Sequence, residues 1–345
     1  MPKHAVIIGP SNIGDAILAA EVIAQVHTAA PDVQMTLVVG ARARSLFEED
    51  PRIHTLLDAD AFEGWRGRLR LALVLWREHP EIVVDLRHTA LPVLLTPCTA
   101  WRYLSKPPRH ITHMRDRHLW TLARHAPQFF QKTTPSIAPS ARPQGLARDF
   151  APPSPKAGLQ DALWFSEKDR AHVQRLWSRW NLEGHQPVAI VCPGARSHIK
   201  RWTAEGFAQV ADRLITACGA RVIFSGEPAE EPVVEEILSF MTHRAHNAIS
   251  LTTARQAGLL MQRAHIVITN DSASLHLASL MNVPTVAIFG PTDDTKYGPT
   301  ATRHQVIRRQ LFCSPCEQAQ CRFHLECMRF VTPHDVYEAA QQLLQ

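Results

Sequence analysis

The chain contains 345 residues, of which 45% are hydrophobic and 20% are charged, and it carries a formal net charge of +5. This composition excludes a largely disordered chain, and the length predicts two domains rather than one. The small positive charge favours acidic small molecules or anionic surfaces as ligands, and we expect no nucleic acid partner. No stretch reaches about 18 consecutive apolar residues, and no signal-peptide pattern is seen, so we expect a cytoplasmic protein.

The first part of the chain alternates between apolar strands and amphipathic helices. The patterns predict a strand at 4–8, a turn at 9–14, a helix at 15–28 and a strand at 35–39. A helix at 69–77 and a strand at 81–85 follow. This alternation predicts a parallel sheet with right-handed crossovers. A proline-rich stretch follows, and we interpret about 133–160 as an interdomain linker that ends a first domain at 1–160.

The second half of the chain repeats this alternation. Strands are predicted at 188–192, 221–225, 266–269 and 285–289, with helices at 166–180, 204–217, 230–241 and 333–344. We therefore predict a second domain at 161–332 and a C-terminal helix within 333–345. In open parallel sheets, ligands bind beyond the carboxyl ends of the strands, so the turns after the strands are where chemistry is expected.

The turn after the first predicted strand ends in Gly14 and Asp15. Glycine lets a ligand approach the backbone closely, and a carboxylate near a helix N-terminus stays ionised and able to accept a proton. The turn lacks the lysine and hydroxyl residue of a Walker-type phosphate loop. Asp15 is therefore a candidate proton acceptor, with a simple helix cap as the alternative.

A basic turn follows the first strand of the second predicted domain. It contains Arg196, Ser197 and Lys200, shortly after Gly194. Cations on a glycine turn suit a diphosphate leaving group, because negative charge grows on that group as a glycosidic bond breaks. Lys200 is the candidate for this contact. The alternative is an exposed basic loop with Trp202 packed onto the sheet.

Three later turns carry further candidates for binding a nucleotide donor. Their residues are Glu227, then Asp271, Ser272 and His276, and then Gly290, Pro291 and Thr292. Glu227 could accept hydrogen bonds from both ribose hydroxyls or could be solvated. Asp271 could orient a donor at a helix N-terminus whose amides suit an anion, or could only cap the helix. The third turn could close over phosphates or simply reverse the chain.

Taken in order, these turns resemble those of the ADP-heptose:lipopolysaccharide heptosyltransferases, glycosyltransferase family 9, over nearly the whole chain. The resemblance is carried by Gly14-Asp15, Lys200-Arg201-Trp202, Ser225-Gly226-Glu227, Asn270-Asp271-Ser272 with His276, and Gly290-Pro291-Thr292. It implies an α/β chain with the GT-B fold, in which two Rossmann-like parallel-sheet domains face a cleft. The acceptor would bind to the first domain and the nucleotide sugar to the second.

The resemblance also implies a reaction. The enzyme would be an inverting, metal-independent glycosyltransferase that moves a heptose from ADP-heptose to a lipopolysaccharide inner-core or related glycan acceptor. Asp15 would act as the general base, and Lys200 would neutralise the departing diphosphate. Glu227 would hold the ribose, and Asp271 with the Ser272 amide would position the donor. The other residues assigned to donor binding are Gly14, Arg196, Ser197, His276, Gly290, Pro291 and Thr292.

Two other classes of function stay open. One is a different GT-B nucleotide-sugar transferase or an epimerase of the same architecture. The other is a nucleotide-binding module without catalytic activity, although the presence of both Asp15 and Lys200 argues against it.

A basic run with interleaved aromatic residues lies in the first predicted domain. Its residues are Trp101, Arg102, Tyr103, Lys106, Arg109, His110, His113, Arg115, Arg117, His118, Trp120 and Arg124. We interpret Arg109, Arg115 and Arg117 as acceptor-binding residues. They could contact phosphates or carboxylates of a glycolipid, or headgroups in a peripheral contact with the inner membrane. A solvated basic face is the alternative.

Four of the seven cysteines lie close together, at Cys313, Cys316, Cys321 and Cys327. Thiolates at this density suit tetrahedral zinc or iron. We expect a structural metal site, with disulfides and free packed thiols as the alternatives. No cofactor is expected for catalysis.

Overall fold

The computed structural model describes residues 3–89, 91–95, 106–130 and 162–345. The chain divides into two compact units, Met1–Trp164 (unit 1) and Phe165–Gln345 (unit 2). The predicted linker at 133–160 lies outside the described residues. Among the described helices, none combines the length and the apolar character needed to cross a membrane.

Unit 1 is built on a parallel sheet. Its strands are β1 (His4–Ile8), β2 (Gln34–Val39), β3 (Thr55–Asp58) and β4 (Ile82–Asp85). The described helices are α1 (Ile13–Ala29), α2 (Ala41–Phe47), α3 (Gly64–Arg77), α4 (Leu91–Leu95), α5 (Met114–His125) and α6 (Pro127–Phe130). The strand order is β3-β2-β1-β4, and every pair is parallel, which confirms the predicted sheet.

Burial explains which strands of unit 1 the sequence predicts well. Every residue of β1 and of β4 is buried, as expected where helices cover a parallel sheet. Apart from His4 at the start of β1 and Asp85 at the end of β4, both strands are apolar. Helix α3 contributes Leu71 and Leu75 to the core that contains Val6 and Ile8. Strand β3 is only half-buried and carries a weaker apolar signal, and our sequence analysis did not identify it.

Unit 2 contains a larger parallel sheet. Its strands are β5 (Val188–Cys192), β6 (Arg221–Phe224), β7 (His246–Asn247), β8 (Ile266–Asn270), β9 (Thr285–Phe289) and β10 (His304–Arg308). The helices are α7 (Glu167–Arg179), α8 (Ala204–Cys218), α9 (Glu231–Phe240), α10 (Ala254–Gln262), α11 (Ala273–Leu280), α12 (Asp294–Tyr297), α13 (Glu326–Arg329) and α14 (Pro333–Leu344).

The strand order in unit 2 is β10-β9-β8-β5-β6-β7. The predicted strands form β5, β6, β8 and β9, and all described pairs are parallel. The two edge strands were missed because β7 is only two polar residues long and β10 mixes polar with apolar residues. Helix α7 begins at a capping box between Ser166 and Asp169, as the sequence predicts.

Candidate active site

In unit 1, Asp15 lies in the first turn of α1, directly after the tight turn that leaves β1. The N-cap residue of α1 is Asn12, and Asp15 lies three residues after it, a position from which a carboxylate can also accept the N–H of the N-cap residue. The Asp15 side chain is half-buried. A negative charge is favoured at this end of a helix. This placement is compatible with the predicted role of Asp15 as a proton acceptor.

Two glycines bring the turns after β1 and β2 into close contact. A Cβ on Gly9 would lie 2.9 Å from Cγ1 of Val39, and a Cβ on Gly40 would lie 2.9 Å from the backbone of Ser11. The Gly9 N–H also donates to the Val38 carbonyl at 2.8 Å. This close packing fixes the path of the backbone that leads to Asp15.

A second carboxyl group at the same sheet edge was not identified from the sequence. Asp85 ends β4 and is paired with Ile8 of β1. It is buried and accepts hydrogen bonds from the Arg87 N–H at 2.9 Å and the Thr89 hydroxyl at 2.9 Å. Burial raises the pKa of the Asp85 carboxyl. Its position at the end of a predicted strand was the signal that could have identified it.

The predicted acceptor-binding arginines occupy different environments. Arg109 is exposed, and Arg117 is half-buried and donates to the Ile111 carbonyl at 3.3 Å. Arg115 is buried, and its Nε donates to Oε1 of Glu21 at 2.6 Å, which joins α5 to α1. Arg115 thus supports packing inside unit 1 and does not contribute to an exposed basic face. Residues 101–105 of the basic run lie outside the described residues.

Two histidines are also buried, namely His118 of the basic run and His125, which directly follows the run. His118 and His125 lie in α5, and burial lowers the pKa of His118 to about 4 and that of His125 to about 3. Both imidazoles are therefore neutral at pH 7. His125 Nδ1 accepts the Asp85 N–H at 3.2 Å. This part of the run therefore belongs to the interior of unit 1.

In unit 2, three of the predicted turns converge on Asp271. Lys200 Nζ donates to Asp271 Oδ2 at 2.7 Å, and the Thr292 hydroxyl donates to the same oxygen at 2.6 Å. Asp271 is 5% exposed, whereas Lys200 is half-buried. The Tyr297 ring lies 5.9 Å from Lys200 Nζ. The N-cap of α11 is Ser272, so Asp271 is not a helix cap and instead organises the turns around it.

Asn270 holds the basic turn against the end of β8. Its Nδ2 donates to the Pro193 carbonyl at 2.7 Å, and its Oδ1 accepts the Trp202 N–H at 3.2 Å. Trp202 is buried and its Nε1 donates to the Val331 carbonyl at 3.0 Å. Trp202 is thus packed in the interior while Lys200 of the same turn pairs with Asp271. A structural role for Trp202 and a binding role for Lys200 are therefore compatible.

The remaining predicted donor residues differ in exposure. Arg196 is exposed, Ser197 and Ser272 are half-buried, and His276 is buried in α11. The Ser272 hydroxyl lies 3.3 Å from that of Thr269. Gly14 of unit 1 is half-buried within the first turn of α1.

Glu230 is a residue that sequence analysis missed. A Cβ on Gly194 would lie 1.9 Å from its Oε1, and a Cβ on Gly226 would lie 2.4 Å from its Oε2. Glu230 Oε2 accepts the Glu227 N–H at 2.9 Å, and burial raises the pKa of the Glu230 carboxyl. The predicted residue Glu227 is exposed. Two glycines at neighbouring strand ends, followed by a carboxylate, were the available signal.

The turn at Gly290 packs against the cysteine-containing segment. A Cβ on Gly290 would lie 2.3 Å from Met328 Sδ and 3.0 Å from Cys327 Sγ. The Pro291 carbonyl accepts the N–H groups of Cys316 at 3.0 Å and Glu317 at 2.8 Å. The segment that contains the cysteines therefore supports the turn from which Thr292 reaches Asp271.

The four clustered cysteines line one cavity of about 270 Å³. Each is a free thiol, which does not support the disulfide alternative. Cys321 Sγ accepts the N–H groups of Phe323 and Leu325, both at 3.3 Å. Burial, with a contribution from the other thiols, raises the pKa of Cys327 to about 11. Within the described residues, no three His, Cys, Asp or Glu side chains are arranged to hold a metal ion.

Comparison with known proteins identifies relatives along most of the chain. Lipooligosaccharide heptosyltransferase 2 of Campylobacter jejuni is 30% identical over 200 residues, which cover 53% of this chain and 62% of that protein. The protein of the same name from Haemophilus influenzae is 25% identical over 325 residues, or 88% of each chain. The structure of Escherichia coli ADP-heptose lipopolysaccharide heptosyltransferase II matches with a TM-score of 0.69 at 20% identity, covering 99% of this chain and 98% of that one.

Two parallel sheets with helices, together with the likeness to the Escherichia coli structure, define the GT-B class, as predicted. The family model of glycosyltransferase family 9 (heptosyltransferase) matches residues 127–326. The chain belongs to glycosyltransferase family 9.

Proposed function

We propose that the chain transfers a heptose from ADP-heptose to a lipopolysaccharide inner-core or related glycan acceptor, with inversion at the anomeric carbon and without a catalytic metal. The observation that carries this proposal is the network in which Lys200 and Thr292 both donate to Asp271. The network lies at the carboxyl ends of parallel strands, where nucleotide ligands bind in such sheets. The names of the matched relatives support a heptose as the transferred sugar.

Lys200 is assigned to the diphosphate of the donor. Its ammonium group is half-buried and already has one anionic partner, Asp271, at 2.7 Å. A partly desolvated cation with a fixed position stabilises the charge that grows on a leaving phosphate better than a mobile surface lysine does. Arg196 and Ser197 of the same turn, with the Ser272 amide, are assigned to donor contacts.

The ribose is assigned to the glutamates after β6. Glu227 is exposed and available to hydroxyl groups, whereas Glu230 lies against Gly194 and Gly226. A carboxylate accepts hydrogen bonds from both hydroxyls of a ribose. We assign Glu227 as the predicted ligand and add Glu230 as a second candidate, since its carboxylate is held by the Glu227 N–H at 2.9 Å.

In unit 1, Asp15 is assigned as the general base that takes the proton from the acceptor hydroxyl as it attacks the anomeric carbon. Proton removal makes the oxygen a stronger nucleophile, while departure of ADP breaks the bond on the other face of the sugar. Arg109 and Arg117 are the basic residues assigned to anionic groups of the glycolipid, because Arg115 is paired with Glu21. We place the enzyme in the cytoplasm, in peripheral contact with the inner face of the cell membrane.

A nucleotide screen tests the donor. Thermal unfolding is measured with ADP, UDP, GDP and CMP at equal concentrations. We expect ADP to raise the unfolding temperature most, since a ligand that binds only the folded state stabilises it in proportion to the logarithm of its concentration. A preference for UDP would instead identify another nucleotide-sugar enzyme, and no shift with any nucleotide would contradict the proposal.

One assay tests both the anomeric configuration of the product and the independence of the reaction from metal ions. Proton NMR of the product formed in the presence of EDTA should show a single anomer, inverted relative to the donor, at an undiminished rate. Retention of configuration would contradict the assigned single displacement. Loss of activity that Mg²⁺ restores would contradict the metal-independent reaction.

We also propose that the cysteine cavity binds a structural zinc or iron ion. Four sulfur donors around one cavity suit such an ion, and N–H groups that donate to Cys321 Sγ are favourable to a thiolate. The described side-chain positions do not form a metal site, so binding requires the sulfur atoms to move closer together. The pKa of Cys327, about 11, shows that without a cation this thiol is protonated.

Elemental analysis tests the metal. We expect about one zinc or iron per chain in protein purified without chelator, and a loss of most of it in Cys321→Ser, because one of the four thiolates is removed. Cys218→Ser is the matched control, since Cys218 lies outside the cavity, and it should keep the metal. Native protein without zinc or iron, with all four thiols free to react, would contradict the proposal.

A further inference from the structure

Helix α3 of unit 1 has an apolar stripe on its exposed surface. Trp65, Leu69, Leu73 and Trp76 are 69%, 48%, 59% and 57% exposed. Their spacing of four, four and three residues places them within an arc of about 80° on a helix of 3.6 residues per turn. The buried residues of α3, Leu71, Ala72 and Leu75, occupy the neighbouring arc. A contiguous apolar stripe on a folded unit marks an interaction surface, unlike single exposed side chains.

The stripe is flanked by positive charge. Arg66, Arg68, Arg70 and Arg77 are all exposed, and the residues Gly64–Arg77 include no acidic side chain. By helical geometry, Arg66, Arg70 and Arg77 lie beside the stripe on one side, whereas Arg68 falls in the arc of the buried residues. The Arg66 guanidinium lies 5.2 Å from the Trp65 ring centroid. Cationic and apolar groups are thus presented together.

The acidic residue after the helix does not offset this charge. Glu78 follows Arg77, but its Oε2 accepts the Thr36 hydroxyl at 2.8 Å and lies 3.0 Å from His4 Nε2. Its carboxylate is therefore directed toward the sheet. The exposed side of α3 keeps its excess of positive charge.

The neighbouring helix α4 also exposes apolar side chains. Helix α4 packs against α3 and exposes Val93 and Leu94, the latter to 56%. Tryptophan at both ends of an apolar stripe and arginines along its sides are typical of a helix that lies in the headgroup region of a bilayer. Indole rings favour that region because they combine an apolar body with a polar N–H group.

We propose that α3 docks unit 1 onto an anionic lipid bilayer, with Trp65, Leu69, Leu73 and Trp76 entering the headgroup region and the flanking arginines contacting lipid phosphates. A second copy of the chain is a poorer occupant. Symmetric pairing would bring the same surface of both copies together, and the arginines of α3 would then face one another without acidic partners on the helix. The inference rests on the surface of unit 1 and is independent of the donor chemistry assigned to unit 2.

Vesicle co-sedimentation of the full chain tests this docking. The wild type is mixed with vesicles of phosphatidylcholine alone, or of equal parts phosphatidylcholine and phosphatidylglycerol. We expect binding to the second and about tenfold weaker binding to the first, with a further loss as salt is raised, because the lipid charge attracts the arginines. Equal binding to both vesicles, or binding to neither, would overturn the proposal without any variant being needed.

Two variants and a control locate the surface. Trp65→Ser with Trp76→Ser should weaken binding at least about tenfold, and Arg66→Glu with Arg70→Glu should abolish the preference for phosphatidylglycerol. The matched control, Phe240→Ser with Arg244→Glu, changes exposed residues of unit 2 and should bind as the wild type. A concentration-dependent dimer that the tryptophan variant loses would instead assign α3 to self-association. The ADP-induced thermal shift is measured in the same variants. If the shift is retained, a loss of vesicle binding reflects the α3 surface and not a failure of the proposed transferase function.

Discussion

Replacing Asp15 by asparagine should lower kcat for heptose transfer by about 10²–10⁴-fold, the range that a general base contributes. The substitution removes the proton acceptor with little change in volume. Asp15 lies in unit 1, whereas the residues assigned to the donor lie mostly in unit 2, so the affinity for ADP should change little. Single-turnover kinetics with saturating donor, together with calorimetric ADP binding, measure both quantities.

The control for this variant is Asp32→Asn, which removes an exposed carboxylate from the same unit. We expect it to retain wild-type kinetics. The pH dependence gives a second readout: the loss of wild-type rate on the acid side should be absent from the residual rate of Asp15→Asn. Near-normal turnover in Asp15→Asn would show that another group accepts the proton, and the buried Asp85 at the adjacent strand end would then be the first candidate.

Replacing Lys200 by methionine should lower kcat/KM by about 10²–10³-fold, the loss that follows removal of one group that stabilises developing negative charge. The loss should fall mainly on kcat, since the charge on the leaving diphosphate is larger in the transition state than in the bound donor. Lys200→Arg should recover part of the activity because it keeps the charge but not the geometry.

The same variant should also destabilise unit 2. Asp271 is 5% exposed. Without the Lys200 ammonium group it keeps the hydrogen bond from the Thr292 hydroxyl. We expect a loss of about 1–3 kcal/mol in the free energy of unfolding, because a buried carboxylate loses its cation. Lys296→Met breaks the exposed pair with Glu317, in which the two charged atoms lie 2.6 Å apart, and serves as the matched control with a much smaller expected loss.

A double-mutant cycle of Lys200→Met and Asp271→Asn separates the two roles of the lysine. If Lys200 acts on the diphosphate, the double variant should recover stability relative to Lys200→Met, because the buried charge is gone, but it should not recover kcat. Recovery of both quantities would show that Lys200 serves only to neutralise Asp271, and the assignment to the leaving group would be wrong.

The sequence predicted the fold class because the central strands are continuous apolar runs. Strands β1 and β5 are buried at every position and were predicted with the bounds they have. The strands that were missed, β3, β7 and β10, are edges of their sheets and are at most half-buried. An edge strand is specified by its partner as much as by its own residues, and local patterns do not contain that information.

For the candidate site, the sequence identified the turns but not the contacts between them. Position after a strand was enough to select Lys200, Asp271 and Thr292 separately. Their convergence on one carboxylate oxygen depends on the strand order, which places β5 next to β8 and β8 next to β9. That strand order could not be predicted from the sequence alone.

Burial of polar residues was the other quantity that local patterns did not reveal. Arg115 belongs to a run that looks like an exposed basic surface, and its pairing with Glu21 spans 94 positions of sequence. Conversely, the exposed stripe of α3 reads in sequence as an ordinary amphipathic helix. A hydrophobic period predicts a helix, but it does not say which apolar face meets the core.

The side chain of Asn270 has a consequence for how this protein can vary. One carboxamide fixes the distance between two loops that belong to different strands, by donating to Pro193 and accepting from Trp202. An isosteric aspartate would present an oxygen to the Pro193 carbonyl, so the loop carrying Lys200 would shift away and shorten the reach of its ammonium group. The position of Lys200 therefore depends on a buried side chain at the end of a neighbouring strand.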